Sequence, residues 1–163
     1  MSNKELTPNN GKGKLLLLEK VLILKATNVF SQTPENILAD VVSLLEEIEF
    51  EENTEIFKEG DIGDAMYIIH RGNVRITKGK VILAILKEND VFGELSLLDA
   101  ETRSASAFAN TDCTIFKIEQ QAFYELIESR PEIIRGIVKI LCSRLRKINQ
   151  MTADQATAQE TKP

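Results

Sequence analysis

Tryptophan is absent from the 163-residue chain, and histidine occurs once, at His70. A single histidine with no neighbouring cysteine gives no metal-ligand cluster. Ser104 and Ser106 have no histidine beside them, so a hydroxyl nucleophile with its base is not offered either. No enzyme and no cofactor are expected, and His70 reads as an exposed residue at a strand end. Only two cysteines are present, Cys113 and Cys142. They do not make the disulfide framework of a small secreted domain, and both read as buried thiols in apolar surroundings. No stretch approaches the roughly 20 apolar residues of a membrane span. The run Leu15-Leu16-Leu17-Leu18 ends at Glu19-Lys20 and lacks a small-residue cleavage site, so it reads as a helix at the edge of a core rather than a signal segment. A cytoplasmic location is therefore expected. An excess of positive charge is lacking as well: 20 basic against 25 acidic residues give a net charge of -5. Such a chain repels phosphate backbones, which disfavours general nucleic-acid binding.

What is present suffices for one domain. Hydrophobic residues make up 43% and charged residues 28%, a composition that can bury a core. Residues 1–13 are polar and read as a disordered start. Leu15, Leu18, Leu22 and Ile23 recur near helical spacing up to about Ala26. Thr33 as N-cap, Pro34 and Glu35 then open a second helix that runs to about Ser43. From Leu44 the period changes. Short apolar or alternating runs follow at Ile48–Phe50, Met66–Ile69, Val74–Ile76, Val81–Ile85, Val91-Phe92, Ala105–Phe108 and Cys113–Ile118. Turn signals punctuate them, among them Gly60-Asp61, Gly63-Asp64, Gly72-Asn73, Lys78-Gly79-Lys80 and Asn89-Asp90. Many short strands at regular spacing predict a β sandwich or barrel. Helical period returns after Glu119, breaks at Pro131, and resumes with Ile133, Ile134, Ile137, Ile140, Leu141, Leu145 and Ile148 on an apolar face. The globular part is thus expected over 14–151, followed by a disordered polar tail at 152–163. Arg130, Arg135, Lys139, Arg144, Arg146 and Lys147 make the last helix positive. Such a run is ordinarily a solvated face; its sharper use is a partner or dimer surface.

The segment Val91 to Ser106 carries the chemistry. Gly93 follows an apolar strand and permits close approach of the backbone to a bound group. Glu94 to Leu98 can form one helical turn whose free N–H groups suit an anion, with Leu95, Leu97 and Leu98 anchoring it to the core. Arg103 can grip a phosphate with two hydrogen bonds, and Ser104 adds a hydroxyl beside it. Glu94 can accept from sugar hydroxyls. Together these groups suit a sugar that carries one compact phosphate.

The run FGELSLLDAETRSAS, from Phe92 to Ser106, resembles the phosphate-binding cassette of cyclic-nucleotide-binding domains: Phe-Gly-Glu-[Leu/Ile]-[Ala/Ser]-Leu, a variable loop, then Arg-[Ser/Thr]-Ala. Gly60–Tyr67 and Arg71–Val74 match the turn pattern of the same family, and the resemblance spans about Val29 to Ile148. It implies an antiparallel, jelly-roll-like β-roll with N-terminal helices and two C-terminal helices. It also implies that Glu94 holds the ribose 2′-hydroxyl and Arg103 the cyclic phosphate, with Gly93, Leu95, Ser96 and Ser104 contributing backbone or hydroxyl contacts. The final helix would act as a lid over the base, through Ile137, Leu141, Arg144 or Leu145. Ser104 lies between the alanine of kinase subunits and the threonine of many cGMP binders. The bacterial activator, a cAMP protein, also has serine there, so cAMP is the expected ligand ahead of cGMP. The expected mechanism is a population shift in which ligand orders Gly93–Ser106 and repositions the leucines against Ile133, Ile134 and Ile137. Homodimerisation or protein binding through the C-terminal helix is the other expected use. Rival readings are a ligand-free interaction module and the detached sensor part of a transcription regulator. Only a short polar tail follows Met151, so direct DNA binding is not expected.

Overall fold

The computed structural model describes residues 15–99 and 101–160, without the side chains of residues 96, 97, 99 and 155–160. The expected disorder of residues 1–13 lies outside them. In chain order the elements are α1 (Leu17–Ala26), α2 (Glu35–Ser43), β1 (Glu46–Phe50), β2 (Glu55–Phe57), β3 (Ala65–Arg71), β4 (Val74–Lys78), β5 (Val81–Leu86), β6 (Val91–Phe92), α3 (Glu94–Asp99), β7 (Ser106–Ala109), β8 (Cys113–Glu119), α4 (Gln120–Ser129) and α5 (Ile133–Glu160). Two four-stranded antiparallel sheets face each other, ordered β1-β8-β3-β6 and β2-β7-β4-β5. This is the predicted β-roll with flanking helices.

The period of two in β3 and β8 divides the core. Ala65, Tyr67, Ile69, Cys113 and Ile115 turn inward and pack with Val74, Phe92, Ala107 and Ala109 of the roll. Met66, Ile68, Phe116 and Ile118 turn outward, beneath Leu24, Phe30, Leu38, Phe123, Ile133 and Ile137 of the helical layer. Alternate side chains of one strand therefore face opposite layers, and β3 reads as a continuous apolar run because both its faces are covered. The second sheet has only its inner face covered. Its edge strand β5 leaves Val81, Ile82, Leu83 and Ile85 exposed.

Three helix expectations need correction. In α1 the buried residues are Lys20, Val21 and Leu24, while Leu18 and Leu22 are exposed. The helix is apolar on nearly every side, so its periodicity names no inner face. Lys20 is tolerated inside because its ammonium lies 3.4 Å from Glu47 and 5.4 Å from the Phe116 ring centroid. In α5 the apolar residues form two stripes rather than one: Ile133, Ile137 and Ile140 are buried, while Ile134, Leu145 and Ile148 are exposed. The helix also runs on to Glu160 instead of fraying at Thr152. Ala153, Ala156 and Ala158 favour helix, no glycine or proline intervenes, and Gln150 donates to Asp154 one turn on at 2.8 Å. Residues 161–163 lie outside the description.

Gly136 fixes how α5 sits. A Cβ there would fall 1.6 Å from the Val29 carbonyl oxygen, so only glycine lets the helix approach that backbone. Cys142 is exposed on α5, against expectation, whereas Cys113 is buried. His70 is half-buried rather than exposed, its ring stacked on Phe116 at 5.5 Å.

Candidate functional site

Arg103 occupies the gap between α3 and β7, and its backbone is fixed before its side chain is. Gly60 N–H donates to the Arg103 carbonyl (2.9 Å), and Arg103 N–H donates to the Asp61 carbonyl (2.8 Å). The Asp61 carboxylate in turn accepts from Lys58 N–H and closes the turn. The Gly60-Asp61 motif thus serves to hold Arg103 in place.

The guanidinium reaches back to the start of the cassette. Its Nη1 donates to the Gly93 carbonyl at 2.9 Å and its Nη2 to the Ala65 carbonyl at 2.7 Å. It lies 4.2 Å from the Phe57 ring centroid and 5.7 Å from that of Tyr67. Phe57, Tyr67 and Phe92 pack ring to ring at 5.1 to 5.9 Å and form an aromatic floor. The side chain is 4% exposed, and its Nε has no hydrogen-bond partner. Among the described residues no carboxylate lies within ion-pair distance of it. Burial pulls its pKa below the usual arginine value; Tyr67, Asp64 and Asp61 push it back up. Burial also raises the Tyr67 phenol, while the Arg103 charge opposes that rise.

Gly93 has φ +76°, and a Cβ there would lie 2.8 Å from Arg103 Nη1 and 3.2 Å from the Ala65 carbonyl. The position therefore excludes side chains both by conformation and by space. Glu94 begins α3 and is 1% exposed; its carboxylate pairs with the guanidinium of Arg144, which also donates to the Val91 carbonyl. One cation from α5 thus ties the first residue of the cassette helix to the last strand before it.

The structure brings Gly93, Glu94 and Arg103 together. Ser104 lies beside them in sequence but is exposed, and so are Leu95 and Leu98. These leucines do not anchor α3 to the core, because a six-residue helix resting on the roll leaves one side in solvent. The side chains of Ser96 and Leu97 lie outside the described set. Of the four lid candidates, Arg144 reaches the cassette, through Glu94 and the Val91 carbonyl. Ile137 is buried in the helical core, Leu141 packs against that core, and Leu145 is exposed. The aromatic floor and the Ala65 carbonyl were not anticipated. Tyr67 and Phe92 belong to apolar strand runs and to the family pattern, neither of which shows that their rings pack with Phe57, and a backbone carbonyl leaves no trace in residue type.

The cyclic nucleotide-binding domain family pattern matches residues 47–130, which includes Gly93, Glu94 and Arg103. The chain belongs to this family. Such domains are sensor or regulatory modules. The chain is 31% identical over 137 residues to the CRP-like cAMP-activated global transcriptional regulator of Mycobacterium tuberculosis, covering 81% of this chain and 61% of that protein. It is 35% identical over 97 residues to the cyclic AMP receptor protein of Thermus thermophilus, covering 56% of this chain and 45% of the relative. The domain thus spans less than two thirds of these curated relatives. Its backbone is similar to that of the Thermus thermophilus catabolite activator protein, with TM-score 0.72 and 27% identity over 80% of this chain and 63% of that one. The regulatory domain of Toxoplasma gondii PKA, crystallised with cAMP, shares the fold at TM-score 0.68 and 23% identity, covering 80% of this chain and 49% of that one. No helix of the described residues is long and apolar enough to cross a membrane.

Proposed function

We propose that this domain senses a cyclic nucleotide, cAMP in preference to cGMP, and performs no covalent chemistry. The observation that carries this reading is a buried guanidinium that has no carboxylate partner among the described residues. Burying a cation is costly unless an anion compensates it. Arg103 has two neutral carbonyls, two ring faces and an orphaned Nε. A cyclic phosphate carries one negative charge on two free oxygens and is of a size to supply what is missing. Glu94 then takes the sugar hydroxyls, with Gly93, Leu95, Ser96 and Ser104 around the ring.

In this reading the Arg144–Glu94 pair closes α5 onto the cassette. Arg144 holds the carboxylate that the ribose needs, so nucleotide and α5 compete for Glu94. Ligand binding displaces the Arg144 contact and loosens α5 from the roll, which makes the position of α5 the output. The shift can be no larger than the difference in ligand affinity between the two arrangements. The test is calorimetric titration of cAMP and of cGMP into the wild-type chain and into Arg103→Ala. Saturable heat with cAMP, weaker with cGMP and lost in the variant, is expected. Negligible heat in all four titrations overturns nucleotide sensing.

A specific observation also favours pairing with a second copy through α5. Ile134, Val138, Leu145 and Ile148 are 43% to 59% exposed. With Leu141 between them they recur at intervals of four and three, the seam of a coiled coil. Sedimentation of wild type and Leu145→Glu checks this. A dimer that becomes a monomer is expected, and a wild-type monomer at every concentration contradicts it.

A further inference from the structure

Strand β3 begins at Ala65, whose carbonyl accepts from Arg103, and ends at Arg71, about 20 Å along the strand. A cavity of about 260 Å³ opens at that far end of the first sheet, and Gly93, Glu94 and Arg103 do not line it. Register sets its width. Glu49 of β1 and Arg71 of β3 both pair with Thr114 of β8, one from each side. Their Cα atoms are therefore two strand spacings apart, about 9.5 Å. Turns close the end of the sheet. Glu52 N–H donates to Asp112 Oδ1 at 2.9 Å, and Asn53 N–H donates to the Ala109 carbonyl at 2.7 Å. A Cβ at Gly72 would collide with the Asp112 carbonyl oxygen, so only glycine lets the turn after Arg71 pack on Asp112. Glu51 and Asp112 complete the charged wall, and Phe50 and Cys113 give the cavity an apolar side.

Arg71 thus shares one small cavity with carboxylates. Yet among the described residues no carboxylate lies within ion-pair distance of its guanidinium. Strand register and pinned turns hold opposite charges apart across an open space instead of letting them pair. Such a space discriminates by repulsion as well as attraction. Arg71 disfavours a bare cation, and the carboxylates disfavour a bare anion. A molecule that carries both charges satisfies both walls.

We propose that this cavity binds a small zwitterion of the amino-acid class. Its carboxylate meets the Arg71 guanidinium, a planar fork suited to that group. Its ammonium lies between Glu51 and Asp112, and its side chain rests on Phe50 and Cys113. The volume is below the range that drug-sized ligands occupy, which admits one small molecule. The site is separate from the cassette, and its assignment does not rest on the cyclic-nucleotide reading.

L-leucine is the probe, titrated into the isotope-labelled full chain and followed by NMR. Saturable shifts of the Glu51, Glu52, Asp112 and Thr114 amides are expected. Isoamylamine lacks the carboxylate and isocaproate lacks the ammonium. Each should bind at least about tenfold more weakly than L-leucine, since a charge-assisted contact is lost. Arg71→Gln should weaken L-leucine binding by about the same factor, and Arg103→Ala should leave it unchanged. Absence of shifts with L-leucine overturns the site. Isoamylamine binding as tightly as L-leucine reduces the cavity to an acidic patch and overturns the role of Arg71. Isocaproate binding as tightly overturns the ammonium subsite, and glycine binding as tightly overturns the apolar side. Undiminished affinity in Arg71→Gln contradicts the assignment, and shifts that vanish in Arg103→Ala place the probe in the cassette instead.

Discussion

Among the described residues two buried cations sit over aromatic rings and have opposite surroundings. Lys20, 7% exposed, lies 3.4 Å from Glu47 and 5.4 Å from the Phe116 ring centroid. Its charge is answered within the fold, and its stem packs α1 onto the first sheet. Arg103 is buried as deeply and lies nearer its ring, yet its guanidinium donates to the neutral Gly93 and Ala65 carbonyls and, among the described residues, has no carboxylate within ion-pair distance. A structural cation is neutralised at home. A cation held by the Gly60-Asp61 turn with no ion-pair partner among the described residues is an open demand, and in the proposed function a phosphate ligand meets it.

The contrast can be broken at Gly93, where the largest effect is expected. Gly93→Ala forces a side chain into a left-handed position and against Arg103 Nη1. A loss of about 1–3 kcal/mol of stability is expected from strain at such a backbone position, together with loss of cAMP binding because the guanidinium must move. Urea unfolding and calorimetry report the two quantities. Stability and affinity both at wild-type level would show that the cassette does not need this close approach.

Lys20→Met sharpens the contrast from the other side, with a smaller effect. Glu47 is partly exposed and can be rehydrated once its partner is gone. The expected cost is about 1 kcal/mol, from one ion pair and one cation–π contact. Nucleotide affinity should stay unchanged. A fall in affinity with intact stability would mean that Lys20 also serves the site.

The sequence exposes one side of this comparison better than the other. Gly93, Glu94 and Arg103 are legible because a phosphate cradle demands particular residue types at fixed spacing. The strands are legible because β3 to β8 alternate or run apolar between turn residues. Lys20 is not legible: a lysine in an apolar helix normally marks the solvent face, and only the position of Glu47 on β1 reverses that. The pairing of Arg144 with Glu94 joins residues 50 positions apart and depends on where Gly136 seats α5. On α5 the spacing of the seven apolar residues from Ile133 to Ile148 suits a single face, although their number exceeds what one stripe needs. The second stripe becomes visible only once the helical core has been filled by Ile133, Ile137 and Ile140.

The central claim is that Arg103 is an uncompensated cation kept for an anion. Arg103→Met retains the stem over Phe57 and removes the charge, so melting of this variant with and without cAMP tests the claim most directly. The account predicts a melting temperature equal to or above that of wild type without ligand, and no rise when cAMP is added. A melting temperature lowered by the equivalent of about 3 kcal/mol, the cost of breaking a compensated buried ion pair, together with an undiminished rise on adding cAMP, would contradict it.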